Sequence, residues 1–107
     1  MNERRRFLRV KRTFPFVFNL RRKNEKLDSK TYDISEGGIG FHSPIKLKKE
    51  DIIYLRIAIP GYSEQMVIRG IVRWTTKTKE GELFVGVEFF NIDQEERDII
   101  LKALRQG

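Results

Sequence analysis

The residues best suited to chemistry lie in two short stretches within the first forty residues. The first is a basic segment at residues 3–9, which contains Arg4, Arg5 and Arg9. Guanidinium groups keep their charge, pair with phosphate or carboxylate through two parallel hydrogen bonds, and stack on flat rings. Several of them close together therefore suit an anionic ligand that also carries an aromatic ring.

The second stretch, residues 33–38, combines a carboxylate, a hydroxyl and two glycines between two predicted strands. Asp33 can accept two hydrogen bonds from guanine N1–H and N2–H₂, while arginine matches the O6 and N7 acceptors of the same base. Ser35 can donate to a phosphate or cap a backbone amide. Gly37 and Gly38 allow positive φ and a close backbone approach. Together the two stretches predict a site for a small anionic purine.

Each stretch also has a simpler interpretation. An arginine-rich start is typical of a disordered basic tail, and Asp33 followed by Ser35 between strands is typical of an Asx turn. Neither stretch alone indicates a binding site. Their joint occurrence, in this order and on a pattern of strands, favours one.

The charge of the chain is concentrated at the same end. The 107 residues carry a net charge of +7, and residues 1–30 contain seven Arg and four Lys against three acidic residues. Residues 1–30 therefore carry +8 and the remainder −1. This asymmetry predicts an anionic partner for the amino-terminal third, such as a nucleotide, a nucleic acid or an acidic membrane surface.

Residues for catalysis or metal binding are scarce. Cysteine is absent and His42 is the only histidine, which excludes thiolate metal sites, histidine clusters and Cys–His pairs. We therefore expect no catalytic residue, no metal ligand, no cofactor and no enzyme activity. No apolar run is long enough to span a membrane and no leader is evident, so we expect a cytoplasmic protein.

Most of the chain follows the period-two alternation of β-strands. Six alternating stretches occur, at residues 14–20, 27–34, 39–43, 53–59, 66–74 and 83–89. They predict an all-β domain at residues 13–107, in which a six-stranded antiparallel β-barrel is followed by a helix. Residues 1–12 have few apolar side chains, and we expect them to form a flexible arm.

The end of the chain has a helical pattern instead. Asp93 is followed three residues later by Glu96, which is a capping-box arrangement. Ile99, Ile100, Ala103 and Leu104 then form a narrow apolar face. The pattern predicts an amphipathic helix at about residues 92–105 that packs on the barrel.

These residues resemble the PilZ domain, a family of bacterial receptors for the second messenger cyclic di-GMP. The family's R-x-x-x-R motif is matched by Arg5 and Arg9, and its D/N-x-S-x-x-G motif by Asp33, Ser35 and Gly38. The resemblance extends through residues 70–74 and 85–89 to the final helix, and so covers nearly the whole chain.

The resemblance implies that the arm folds over the ligand, with Arg5 and Arg9 on guanine and phosphate and the second motif on guanine. Arg4, directly before the first motif arginine, implies two stacked cyclic di-GMP molecules. The resemblance places Trp74 beside the ligand. Its position on the even-numbered face of its strand equally predicts a place in the core. Ordering of the arm would alter a surface that a downstream effector protein reads.

Two other functions remain open. An OB-like barrel that binds single-stranded nucleic acid would also combine a basic surface with strand aromatics. However, Phe14, Phe16 and Phe18 share a face with Leu20 and are expected in the core. Nucleic acid is therefore not the expected primary partner. The other alternative is a protein-interaction module that keeps the fold and has lost the ligand.

Overall fold

The computed structural model describes residues 9–105 of the chain. The six strands of this part are antiparallel to their neighbours and close into a barrel in the order β1-β2-β3-β6-β5-β4. This confirms the predicted six-stranded antiparallel barrel with a carboxy-terminal helix. The elements are β1 (Pro15–Leu20), β2 (Leu27–Ser35), β3 (Gly38–Ser43), β4 (Ile52–Ile57), β5 (Met66–Lys77), β6 (Leu83–Phe90) and α1 (Gln94–Arg105).

The barrel interior is filled by the apolar side chains of the alternating pattern. Phe14, Phe16 and Phe18 of the first alternating stretch are at most 4% exposed, which confirms that they belong to the core. Phe16, Phe18 and Phe41 form a cluster with ring centroids 5.0 to 5.8 Å apart. Tilted and edge-on contacts of this kind add roughly 0.5–1.5 kcal/mol per pair beyond the burial of apolar area.

Strand β2 contains a bulge directly before the second motif. Thr31 pairs with Phe41, and the next registered pair joins Asp33 to Gly40, so that β2 has one extra residue here. A bulge shifts the alternation of side chains by one position. Thr31 and Ile34, which are three residues apart, are consequently both buried, and Asp33 points outward.

Strand β5 contains a second bulge of the same kind. Val72 pairs with Val87, and the next registered pair joins Trp74 to Gly86. The shift moves Trp74 to the outer surface, where 46% of the residue is exposed. The prediction that Trp74 shares a face with the buried Val72 is therefore wrong, because regular alternation is interrupted between the two residues.

The described part of the predicted arm, residues 9–12, lies along β2. Val10 and Ile34 exchange two backbone hydrogen bonds of 3.0 and 2.9 Å. The Arg12 guanidinium donates to the carbonyl of Leu104 at 3.1 Å, at the end of α1. Residues 1–8 lie outside the described residues, and the flexibility of the arm stays a prediction.

The helix α1 begins at the predicted capping box. The Glu96 amide donates to Asp93 Oδ1 at 2.8 Å, and the Asp93 amide donates to Glu96 Oε1 at 3.1 Å. Each bond satisfies an amide that has no partner inside the helix. Ile100 and Ala103 are buried and belong to the same core as the barrel side chains, so the helix packs on the barrel as predicted.

We predict that Asp93→Ala destabilises the domain by about 1 kcal/mol, because the first turn of α1 loses its cap. The midpoint of thermal unfolding should fall by roughly 4–8 °C. Glu95→Ala is the matched control, since it removes the same charge from the same turn without removing a cap. Equal losses in the two variants, measured by circular dichroism, would contradict a role for the cap.

Candidate functional site

The two motifs meet in one ion pair on the outside of the barrel. Arg9 Nη2 donates to Asp33 Oδ1 at 2.9 Å, across 24 residues of sequence. The side chains are 31% and 22% exposed. A partly exposed ion pair contributes at most about 1 kcal/mol to stability. Both groups can therefore exchange their contact for a ligand at small cost.

The Asp33 carboxylate has room against the sheet because the residue opposite it on the neighbouring strand is a glycine. Gly40 lies opposite Asp33 in the sheet. A Cβ atom at position 40 would lie 2.7 Å from Asp33 Oδ1 and 3.2 Å from Cζ of Phe84. The carboxylate and the Phe84 ring can therefore approach the sheet together only because position 40 is glycine.

The hairpin between β2 and β3 is held by Ser35. Its hydroxyl oxygen accepts a hydrogen bond from the Gly37 amide at 3.0 Å, and the residue is 1% exposed. Ser35, rather than Asp33, thus caps the turn, which corrects the interpretation of Asp33 as an Asx-turn residue.

Neither Gly37 nor Gly38 adopts positive φ, in contrast to what their presence in a turn predicts. At Gly38 the reason for glycine is a close approach of two strands, because a Cβ atom would overlap the carbonyl oxygen of Val87.

Three aromatic rings form a row across the outer surface beside Asp33. Tyr32 and Phe84 meet edge to face with centroids 5.3 Å apart, and Phe84 and Trp74 lie 5.6 Å apart. Tyr32 and Trp74 are 44% and 46% exposed. We call these three residues the aromatic row. Exposed rings can stack on a nucleic-acid base, which contributes roughly 1–3 kcal/mol per base.

The indole of Trp74 lies flat over the backbone of Gly86. A Cβ atom at position 86 would overlap three atoms of the indole. The neighbouring residue in the bulge, Arg73, donates from Nε to Glu88 Oε1 at 2.6 Å. The bulge is thus held on the barrel from both sides, by an aromatic contact and by an ion pair.

Several residues of this surface were missed from the sequence. They are Tyr32, Phe84, Gly40 and Gly86, together with Lys11, whose ammonium lies 5.6 Å from the centre of the Tyr32 ring. Phe84 had a usable signal, because it occupies an outward position between inward apolar residues of β6. The glycines had none, since their importance depends on which side chains lie opposite.

Of the predicted site residues, the structure brings Arg9, Asp33 and Trp74 to one outer surface, with Ser35, Gly37 and Gly38 in the adjoining hairpin. Arg4 and Arg5 lie outside the described residues. The ligand-binding roles of all of them stay predictions.

Groups suited to other chemistry are few in the described part of the chain. His42 Nδ1 lies 3.5 Å from Glu82 Oε1 on the surface. Residues 9–105 contain no group of three or more His, Cys, Asp or Glu side chains that could hold a metal ion. Within the same range, no helix has the length and apolar character needed to cross a bilayer.

The chain is similar to one protein family over nearly its whole length. The model of the PilZ domain family matches residues 3–106. The chain belongs to the PilZ domain family. The match includes the R-x-x-x-R residues, the D-x-S-x-x-G residues and helix α1. No curated protein is detectably similar to the chain in sequence.

Solved structures have the same fold as this PilZ domain. The Bacillus subtilis inhibitor of motility (MotI/DgrA) superposes with a TM-score of 0.78 at 17% identity, over 98% of this chain and 52% of its own. The PilZ domain of YcgR from Escherichia coli, with c-di-GMP, superposes with a TM-score of 0.71 at 17% identity, over 97% of this chain and 94% of the YcgR chain. The MrkH–c-di-GMP complex of K. pneumonia superposes with a TM-score of 0.72 at 16% identity, over 98% of this chain and 52% of the MrkH chain. The chain thus spans about half the length of two of these proteins.

We predict that Gly86→Ala lifts Trp74 from the barrel surface, because the new methyl group occupies the space of the indole. Trp74 is the only tryptophan, so its emission should move to longer wavelength and be quenched more strongly by acrylamide. Val67→Ala is the control, as it lies on the same strand and is 55% exposed. Unchanged emission in Gly86→Ala would contradict the flat position of the indole.

Proposed function

We propose that this PilZ domain is a non-enzymatic cytoplasmic receptor for cyclic di-GMP, which binds between the arginines of the arm and residues 33–38. The observation that carries the proposal is the 2.9 Å ion pair between Arg9 and Asp33, because it joins the two family motifs at one point. The complexes of YcgR and MrkH with c-di-GMP support the choice of ligand.

The ion pair suggests how the ligand enters. In the free domain the Asp33 carboxylate accepts a hydrogen bond from Arg9. Guanine N1–H and N2–H₂ offer the same carboxylate two donors, and the ligand offers Arg9 a phosphate or the O6 and N7 acceptors. Binding therefore exchanges one pair of charge-assisted contacts for several, and leaves neither group without a partner.

The aromatic row provides a surface for the base beside this exchange. Trp74 lies flat on the barrel and is half exposed, so a guanine ring can stack on its outer face. Arg5 precedes Arg9 by four residues, which reach at most about 14 Å when extended. Both arginines can therefore contact a single ligand on this surface.

Ordering of the arm couples ligand binding to a change of shape. Fixing the backbone costs roughly 1–2 kcal/mol per residue, whereas a hydrogen bond to a charged group contributes roughly 1.5–3 kcal/mol. Val10 and Arg12 are already bonded to β2 and α1, so binding does not have to fix these two residues. The ordered arm creates the surface that an effector protein reads.

We predict that Arg5→Ala, Arg9→Ala and Asp33→Ala each weaken binding of cyclic di-GMP, measured by isothermal titration calorimetry. Loss of one charge-assisted contact should reduce affinity roughly ten- to hundredfold. The unfolding midpoint of the free Arg variants should change little. Arg22→Ala is the control, since it removes one exposed positive charge away from the site.

The same titration should include GTP and a short single-stranded oligonucleotide at near-physiological salt. Selective, saturable binding of cyclic di-GMP supports the receptor function. Salt-sensitive binding of the oligonucleotide alone would instead favour the nucleic-acid barrel, for which the exposed aromatic row is the supporting observation. No binding of any of the three would leave a protein-interaction module.

We predict about two cyclic di-GMP molecules per chain, because Arg4 precedes the first motif arginine and can hold a second, stacked ligand. Arg4→Ala should reduce the stoichiometry to about one and retain most of the affinity for the first ligand. A stoichiometry of one in the unmodified domain would contradict this role of Arg4. Arg6→Ala, which changes an arginine at a variable position of the R-x-x-x-R motif, is the control.

A further inference from the structure

A groove of about 1030 Å³ lies at one end of the barrel. It lies beside the proposed ligand face, by which we mean the outer surface that carries Arg9, Asp33 and the aromatic row. Its walls are the middle of β2, the loop between β3 and β4, and the hairpin between β5 and β6. The side chains that line it include five lysines, to which we refer as the lysine groove: Lys30, Lys46, Lys48, Lys49 and Lys77.

The charge of the lysine groove is not neutralised within the described residues. None of its five ammonium groups forms an ion pair or a hydrogen bond with another side chain of residues 9–105. The two acidic residues of the lining are Asp28 and Glu82, and Glu82 lies beside His42. Five positive charges against two negative ones make the groove attractive to anions.

The loop that carries three of these lysines is held in place. Leu47 is 3% exposed and belongs to the barrel core. The Glu50 amide donates to the Val72 carbonyl at 2.7 Å, and the Val72 amide donates to the Asp51 carbonyl at 2.9 Å. Asp51 Oδ2 also accepts from the Lys48 amide at 2.8 Å. The groove is therefore formed before any partner binds, which lowers the entropic cost of association.

The apolar part of the groove identifies the class of partner. Pro44, Ile45 and Leu83 line it, and Ile45 and Leu83 pack against the core while remaining partly exposed. These side chains accommodate an aliphatic residue, whereas the two rings of the lining, Tyr32 and His42, already contact each other and Phe84. The site is also concave, whereas a membrane surface requires a flat or convex one. We propose that the lysine groove binds an acidic segment of a partner protein, with carboxylates on the lysines and one apolar side chain on Ile45 and Leu83.

The lysine groove shares one residue with the ligand face. Tyr32 lines the groove and also begins the aromatic row, where Lys11 of the arm lies over its ring. If the proposed function is correct, movement of the arm on binding cyclic di-GMP changes the contact between Lys11 and Tyr32. Affinity for the acidic segment should then change roughly two- to fivefold, as expected for loss of one exposed cation–π contact.

The test is selection from a display library of short random peptides on the free domain. Peptides rich in Asp or Glu around an aliphatic residue should be enriched. Their affinity should fall at least roughly tenfold in Lys46→Glu/Lys49→Glu. The control variant is Lys23→Glu/Lys26→Glu, which makes the same charge change in the exposed turn between β1 and β2. It should retain the affinity, and circular dichroism should show both variants folded.

Three outcomes would overturn the proposal. They are a selection without acidic enrichment, selected peptides that bind both variants equally, and tighter lysine-dependent binding of an oligonucleotide or of anionic vesicles. The experiment also separates the two proposals, because peptide binding is measured first without cyclic di-GMP. If the unmodified domain binds cyclic di-GMP but selects no acidic peptide, the groove proposal alone is rejected. If it binds acidic peptides but not cyclic di-GMP, the receptor function alone is rejected.

Discussion

The outer surface that carries Asp33 and Trp74 depends on the alternation of inward and outward side chains along the strands. In a closed barrel every strand residue points either into the single core or to the outside, and the choice alternates along the chain. One extra residue at each bulge reverses the choice. The bulge in β2 keeps Ile34 in the core and turns Asp33 outward, and the bulge in β5 does the same for Val72 and Trp74. Both key side chains thus reach the outer surface without loss of core packing.

This constraint also explains what the sequence could predict. The six strands and their inward residues follow from period two, and the helix start follows from the spacing of Asp93 and Glu96. The bulge in β2 had a signal, because Leu27 and Ile34 are both apolar but seven residues apart, which regular alternation does not allow on one face. The bulge in β5 had none, since Trp74 fits the run of even-numbered residues. The structure of that strand is decided by its partner, where Gly86 leaves room for the indole.

In the proposed receptor, the ion pair between Arg9 and Asp33 has two opposite effects on ligand binding. It keeps the Arg9 side chain at the mouth of the proposed site, so that this side chain loses little entropy on binding. It also occupies the carboxylate that would accept guanine, and this contact must be broken first. At partial exposure the pair contributes at most about 1 kcal/mol. Several new charge-assisted bonds exceed that amount, so the positioning effect outweighs the competition.

Communication between the ligand face and the rest of the domain is limited by the contacts that the arm makes. A ligand can shift another equilibrium only by the difference in contact energy between the two states. The Lys11–Tyr32 contact is worth about 0.5–1 kcal/mol at an exposed site, which bounds its effect on the lysine groove. The hydrogen bond from Arg12 to the end of α1 can transmit more, because a bond from a charged donor contributes roughly 1.5–3 kcal/mol. In the proposed receptor, movement of the arm therefore has a larger effect on helix α1 than on the lysine groove.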